Sequence, residues 1–192
     1  MTKISANPRS PAGDETGRGD VVPSRFMMFS FAAFFLGLFW LAPGPIPVDV
    51  TVQSVLLSIP LIWLSAVDLR DHRIPDATVI AITGLGLLML WQILPEAAIA
   101  HIGAALGIGL FFWLLSEVWC RVRHEDALGL GDVKLIAAAT LWVGPTGFAS
   151  FLLLATLGGI AASLLSISRG VPFGPFLAIS LWITWLFGPM IG

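Results

Sequence analysis

The sequence predicts an all-α protein built as a polytopic bundle of about six or seven transmembrane helices. Two observations predict this class: 57% of the 192 residues are hydrophobic, and only 11% are charged. A soluble domain carries about 25% charged residues, so this chain lacks the polar surface that a water-soluble globule needs. Its high hydrophobicity excludes a disordered chain. Its net charge of −2 provides no basic field for nucleic acid, which we do not expect as a partner.

Seven apolar stretches account for the predicted helices. A bilayer core of about 30 Å requires roughly 20 apolar residues per helix, with some variation in length. The stretches are 26–42, 50–67, 77–94, 97–119, 133–143, 148–167 and 176–191, and all but the fifth meet or approach this length. We expect one helix in each, with the lipid bilayer as their surroundings.

The first four stretches follow one another with short breaks. The first two contain no charged residue, and the second ends at Asp68. Pro43 follows the first stretch at the point where a signal peptide would need a small, accessible cleavage site, so we expect an uncleaved anchor. We expect residues 1–25, rich in proline, glycine and charge, to form a disordered cytoplasmic tail, and 26–192 to form the membrane domain.

The fifth stretch, 133–143, is too short to span a bilayer comfortably. A half-helix or a buried re-entrant segment is the alternative. Residues 144–147, Gly-Pro-Thr-Gly, follow it and predict a turn into the sixth stretch. The seventh stretch then closes the bundle.

The positions of the basic residues predict the orientation, because Lys and Arg remain on the cytoplasmic side. All ten of them lie in the N-terminal tail or in alternate loops: Lys3, Arg9, Arg18, Arg25, Arg70, Arg73, Arg121, Arg123, Lys134 and Arg169. The opposite loops, 43–49, 95–96 and 144–147, contain none. This pattern predicts seven crossings, the fifth stretch included, with the N-terminus in the cytoplasm.

Two aspartates at membrane depth are the candidates for chemistry. Asp68 ends the second stretch and Asp132 begins the fifth, so the predicted topology brings both to the cytoplasmic side. Two carboxylates that meet cannot both ionise cheaply and can share one proton. The ionised member can take a proton from water while the other polarises a peptide carbonyl, as in aspartic proteases. Gly129 and Gly131 permit unusual dihedral angles and a close approach of substrate backbone.

Solvated loops and helix caps are the alternative interpretation of these acidic residues. An aspartate at a helix N-terminus is a favourable cap, and Asp132 fits that description too. We adopt the loop interpretation for four further acids: Asp71, Asp76, Glu125 and Asp126. Glu117 either extends its carboxylate toward water or assists the aspartate pair.

Three runs of sequence carry a resemblance to a known family. They are AVDLRDHRIPD at 66–76, GLGDVKL at 129–135 and VPFGPFLA at 171–178. In this order, and all on the predicted cytoplasmic side, they resemble the type IV prepilin leader peptidases, membrane aspartic proteases marked by a GxGD motif. A GxGD motif alone would be weak, since glycine is common in this chain.

The resemblance implies roles for individual residues. Asp68 and Asp132 correspond to the two catalytic aspartates of the family. The other matching motif positions are Gly129, Gly131, Pro75 and Lys134. Pro75 also fixes its own φ and disfavours helix at Ile74, which separates the second and third stretches. Lys134 either biases the ionisation of Asp132 or binds lipid headgroups.

The resemblance further implies an aspartic endopeptidase of the bacterial inner membrane that cleaves leader peptides from Flp-like type IV prepilins at the cytoplasmic face, without a cofactor. Larger members of the family carry paired CxxC motifs that bind zinc. These larger members also methylate the new N-terminus. This chain has one cysteine, Cys120, and its histidines lack metal-ligand spacing, so we expect no metal and no methyltransferase activity, as in the short form associated with tight-adherence pili. The alternatives are a non-enzymatic membrane subunit of a secretion or transport assembly, and a related GxGD protease with another substrate.

Overall fold

The computed structural model describes residues 25–42, 47–123, 129–165 and 172–188. Within these ranges the regular elements are α1 (Arg25–Trp40), α2 (Val48–Asp71), α3 (Asp76–Gln92), α4 (Ala98–Arg123), α5 (Leu130–Leu165) and α6 (Gly174–Phe187), with a 3-10 turn at Pro95–Ala97. The predicted all-helical class is confirmed. The predicted disordered tail lies outside the described residues except for Arg25, which begins α1.

Three of the helical segments are long and apolar enough to cross a bilayer: Val48–Asp71, Pro95–Val122 and Leu130–Leu165. The remaining helices are shorter and also apolar. Large side chains on the outer surface are apolar as well, and Trp91, Ile99 and Leu106 are 82%, 87% and 70% exposed. A surface of this kind is unfavourable in water and suits the hydrocarbon of a membrane.

The core lies where α5 packs against α3, α4 and α6, and where α2 packs against α3 and α6. Trp142 and Trp182 are the largest buried side chains. Each indole N–H donates to a backbone carbonyl of another helix, Trp142 to Ile82 at 3.0 Å and Trp182 to Phe35 at 3.2 Å. These bonds satisfy the polar atoms of the two rings inside an apolar core.

α5 consists of two limbs that meet at Gly144, whose φ of 67° and ψ of −177° are not helical. A continuous helix of 36 residues would be about 54 Å long. Instead, Gly158 in the second limb adjoins Phe176 near the start of α6, and that start contacts Asp68. Asp68 in turn lines a cavity with Asp132 at the start of the first limb. The two limbs are therefore antiparallel.

The turn predicted at 144–147 lies in the expected place but is tighter than four residues. Only Gly144 departs from helical geometry, and helix resumes at Pro145. Glycine adopts the positive φ without a steric penalty, and proline is favourable at a helix start. Reversal therefore needs no loop, and residues 130–143 and 145–165 form the two helical limbs of one hairpin.

Candidate active site

Asp68 lies in the last turn of α2, at the end of the bundle that we call the aspartate end, where α2 ends and α5 and α6 begin. Asp68 is 5% exposed. His72 caps the end of α2 in the left-handed conformation, with φ of 50°. Its backbone N–H donates to the backbone carbonyl of Asp68 at 2.9 Å. Pro75 precedes α3 with φ of −67°, so the predicted break between the helices at this proline is confirmed.

Asp132 lies in the first turn of α5, three residues after Gly129. The expectation of unusual glycine dihedrals is wrong here, because the positive-φ glycines among the described residues are Gly144 and Gly188. Gly131 instead provides a close approach within the protein: a Cβ there would lie 3.0 Å from Cβ of Ile74. A Cβ on Gly129 would make an ordinary 3.4 Å contact with Oδ2 of Asp132.

A cavity of about 250 Å³ brings the predicted pair together. Its lining residues are Asp68, His72, Arg73, Ile74, Gly129, Gly131 and Asp132. The two carboxylates come from separate helices and are close enough for their charges to act on each other. Four of the sequence-predicted site residues therefore surround one space at the aspartate end: Asp68, Asp132, Gly129 and Gly131. A space of this size admits water molecules.

The start of α6 contacts Asp68, which the sequence analysis did not predict. The backbone N–H of Gly174 donates to Oδ2 of Asp68 across 2.8 Å. Both residues are buried. Gly174 lies inside the run 171–178, so a motif marked the position, but its contact with Asp68 depends on how α6 packs against α2.

Lys134 forms an ion pair with Asp76, with Nζ 2.7 Å from Oδ1. Lys134 does not line the cavity between the aspartates. Asp76, which we interpreted as a loop acid, is the first residue of α3 and takes part in this link between α3 and α5. Both side chains are more than half exposed, so the pair contributes about 1 kcal/mol or less to stability.

Glu117 is paired on its own helix. Its carboxylate lies 2.8 Å from the Arg121 guanidinium one turn later on α4. Glu117 does not line the cavity between the aspartates. The contact with Arg121 therefore favours the interpretation in which the Glu117 carboxylate extends toward water, over the one in which it assists the aspartate pair. Among the described residues, no group of three or more His, Cys, Asp or Glu side chains is arranged to hold a metal ion.

The sequence of the chain is similar to those of known proteins. Residues 55–164 match the model of the type IV leader peptidase family. Proteins named prepilin leader peptidase/N-methyltransferase are similar to the chain: one from Xanthomonas campestris pv. campestris is 30% identical over 143 residues, which are 70% of this chain and 50% of that protein. One from Burkholderia pseudomallei (strain 1026b) is 33% identical over 150 residues, which are 74% of this chain and 48% of that protein.

A protein of the same name from Escherichia coli (strain K12) is 35% identical over 130 residues, which are 64% of this chain and 57% of that protein. The chain thus spans about half the length of the curated relatives that it matches. No solved structure matches it. The matched region, 55–164, contains both aspartates of the cavity.

Proposed function

Because the chain belongs to the type IV leader peptidase family, we propose that it is a membrane aspartic endopeptidase that cleaves the leader peptide from Flp-like type IV prepilins. The observation that carries the proposal is the cavity lined by Asp68 and Asp132, from separate helices. The substrate is another membrane protein whose polar leader meets its apolar helix near the bilayer surface. A site at the end of the bundle is suited to a scissile bond that lies near the bilayer surface.

The proposed reaction is hydrolysis by a water molecule held between the two carboxyl groups. The ionised aspartate removes a proton from the water molecule while the water oxygen bonds to the scissile carbonyl carbon. The protonated aspartate donates its proton to the carbonyl oxygen. The resulting gem-diol collapses as the C–N bond breaks. The amine leaves with the proton taken from water, and a proton of the gem-diol returns to the second aspartate. The pair is then restored.

We place the site at the cytoplasmic face of the bacterial inner membrane. The support is the distribution of basic side chains, because Arg70, Arg73, Arg121 and Lys134 lie at the end of α2, just after it, at the end of α4 and at the start of α5. These positions belong to the aspartate end. Basic residues remain on the cytoplasmic side of membrane proteins.

We further propose that the chain acts as a peptidase without methyltransferase activity. The support is its single cysteine, Cys120, which cannot form the paired CxxC motifs that the family resemblance associates with the bifunctional members. Mass spectrometry of the processed substrate tests this point. An unmethylated new N-terminus is expected, and the added mass of a methyl group would contradict it.

The test of the peptidase is processing of a prepilin-like precursor in membranes, with the new N-terminus sequenced. Asp68→Ala and Asp132→Ala are expected to leave no detectable cleavage while the protein still accumulates in the membrane. The matched control is Asp49→Ala, at the opposite end of α2, which is expected to cleave normally. Normal processing by either cavity variant would refute the proposal. No processing by the wild-type protein would favour the non-enzymatic membrane subunit.

A further inference from the structure

The two aspartates of the cavity are chemically alike but differ in their contacts. Oδ2 of Asp68 accepts the Gly174 N–H at 2.8 Å. Within the described part of the chain, the Asp132 carboxylate has no such amide donor, and its electrostatic partner is Asp68. Among the residues that the structure describes, the other charged or titratable side chains that line this cavity are His72 and Arg73, which follow directly on α2. Among the described residues, the Gly174 amide at the start of α6 is therefore a contact that distinguishes Asp68 from Asp132.

Glycine is what allows the amide of residue 174 to approach Asp68 so closely. A Cβ at this position would lie 2.6 Å from Oδ2 and 2.9 Å from Cγ of Asp68. Both distances are shorter than side chains tolerate, and Asp68 is too buried to move aside freely. Any other residue must therefore displace either the carboxylate or the start of α6.

The first turn of α6 is seated against the second limb of α5. A Cβ on Gly158 would lie 2.9 Å from Phe176, and a Cβ on Gly159 would lie 3.1 Å from Phe173. These two phenylalanines flank Gly174 and Pro175 and pack directly on the α5 backbone. The Gly174 amide that donates to Asp68 is thus held in place by the packing of the two phenylalanines that flank it in the sequence.

A backbone N–H at a helix start stabilises an ionised carboxylate, through the hydrogen bond and through the helix dipole. We propose that Gly174 is a positioning residue whose amide makes Asp68 the ionised member of the pair, the one that activates water, and leaves the shared proton on Asp132. The proton on Asp132 then polarises the scissile carbonyl. This assignment rests on the proposed peptidase function and gives the two aspartates different roles within it.

The test is a Gly174→Ala variant assayed for cleavage over a range of pH. Loss of a hydrogen bond to a charged group is expected to lower kcat about 10- to 100-fold with KM nearly unchanged. The acidic limb of the pH–rate profile is expected to move to higher pH by about one unit. The profile is measured again with His72→Asn in both proteins, because His72 faces the same cavity and asparagine tolerates its left-handed backbone.

Gly84→Ala on α3 is the matched control, since no atom lies within 4 Å of the added Cβ. It is expected to leave the pH profile in place. An unchanged kcat and pH profile in Gly174→Ala would overturn the inference while leaving the peptidase intact, and so would an identical shift in Gly84→Ala. Failure of the peptidase itself is distinguishable, because the wild-type protein would then not cleave.

Asparagine variants decide the assignment if Gly174→Ala does not accumulate. An Asn side chain can donate a hydrogen bond in place of a protonated carboxyl group, but it cannot accept a proton from water. Asp132→Asn is therefore expected to retain at least about tenfold more residual cleavage than Asp68→Asn. Equal residual rates, or a higher rate for Asp68→Asn, would overturn the assignment of roles.

Discussion

The imidazole of His101 on α4 lies with Nδ1 2.8 Å from the carbonyl oxygen of Leu141 on α5. A carbonyl only accepts hydrogen bonds, so Nδ1 carries the proton and donates. Leu141 lies near the end of the first limb, where carbonyls lack helical donors, and Pro145 beyond it has no N–H. His101 thus satisfies a backbone group that the reversal of α5 leaves without a partner.

Replacement of His101 by alanine is expected to destabilise the bundle by about 1–3 kcal/mol, because the carbonyl of Leu141 loses its donor inside the protein. The measurement is thermal or denaturant unfolding of the purified protein in detergent. Ile99→Ala on the same helix is the control, since Ile99 is 87% exposed. Equal stability of His101→Ala and the wild type would show that water replaces the donor at this site.

Gly144→Ala is expected to be more damaging than the loss of His101. Its positive φ disfavours any side chain, and an added Cβ would collide with the His101 ring. The expected cost is about 2–4 kcal/mol, read as a lower midpoint of unfolding in detergent. Gly103→Ala and Gly107→Ala on α4 have no atom within 4 Å of the added Cβ. Both should be nearly neutral, and a similar loss in these controls would contradict the explanation.

Gly84 and Gly86 lie two residues apart on α3, and they are expected to respond differently to alanine because Gly84 is exposed and Gly86 is buried. At Gly86 the new Cβ would lie 2.9 Å from Nε1 of Trp142, whose N–H donates to Ile82, whereas nothing lies within 4 Å at Gly84. Gly86→Ala should destabilise by about 1–3 kcal/mol. Gly84→Ala should be neutral or stabilising, because alanine is the better helix former. The same unfolding measurement compares them, and equal effects would refute the role of Trp142.

Gly131→Ala is expected to lower the rate of precursor cleavage about tenfold, while Gly129→Ala has a smaller effect. The added Cβ at residue 131 would meet Ile74 at 3.0 Å and move the segment that lines the cavity, whereas at residue 129 the contact with Asp132 is ordinary, at 3.4 Å. Initial rates at equal protein levels give the comparison. A larger loss in Gly129→Ala would reverse the order predicted from these distances.

The ion pair between Lys134 and Asp76 is expected to show a coupling energy of about 1 kcal/mol or less in a double-mutant cycle. Both side chains are exposed, so added salt should weaken the coupling further. Unfolding of Lys134→Ala, Asp76→Ala and the double variant in low and high salt measures it. A coupling well above this value, insensitive to salt, would indicate a pair shielded by lipid.

The sequence predicted the helical class and the break at Pro75 because these depend on composition and local backbone chemistry. It predicted that Asp68 and Asp132 would meet, because apolar length and basic loops restrict which ends of the helices share a side. It did not predict the ion pair of Asp76 with Lys134 or the close approach of Gly131 to Ile74, and its expectation of unusual dihedral angles at Gly131 was wrong. Both depend on how α3 approaches α5, which no local pattern encodes.

The sequence by itself determined that the chain is a helical bundle suited to a membrane, and that its few polar groups at helix ends are the candidates for chemistry, because hydrophobicity and charge act locally along the chain. Tertiary structure alone decided what distinguishes the two aspartates. The Gly174 amide reaches Asp68, and the His101 ring reaches Leu141, across 106 and 40 residues of sequence. Contacts of that span arise from helix packing, whose distances and angles depend on many side chains at once.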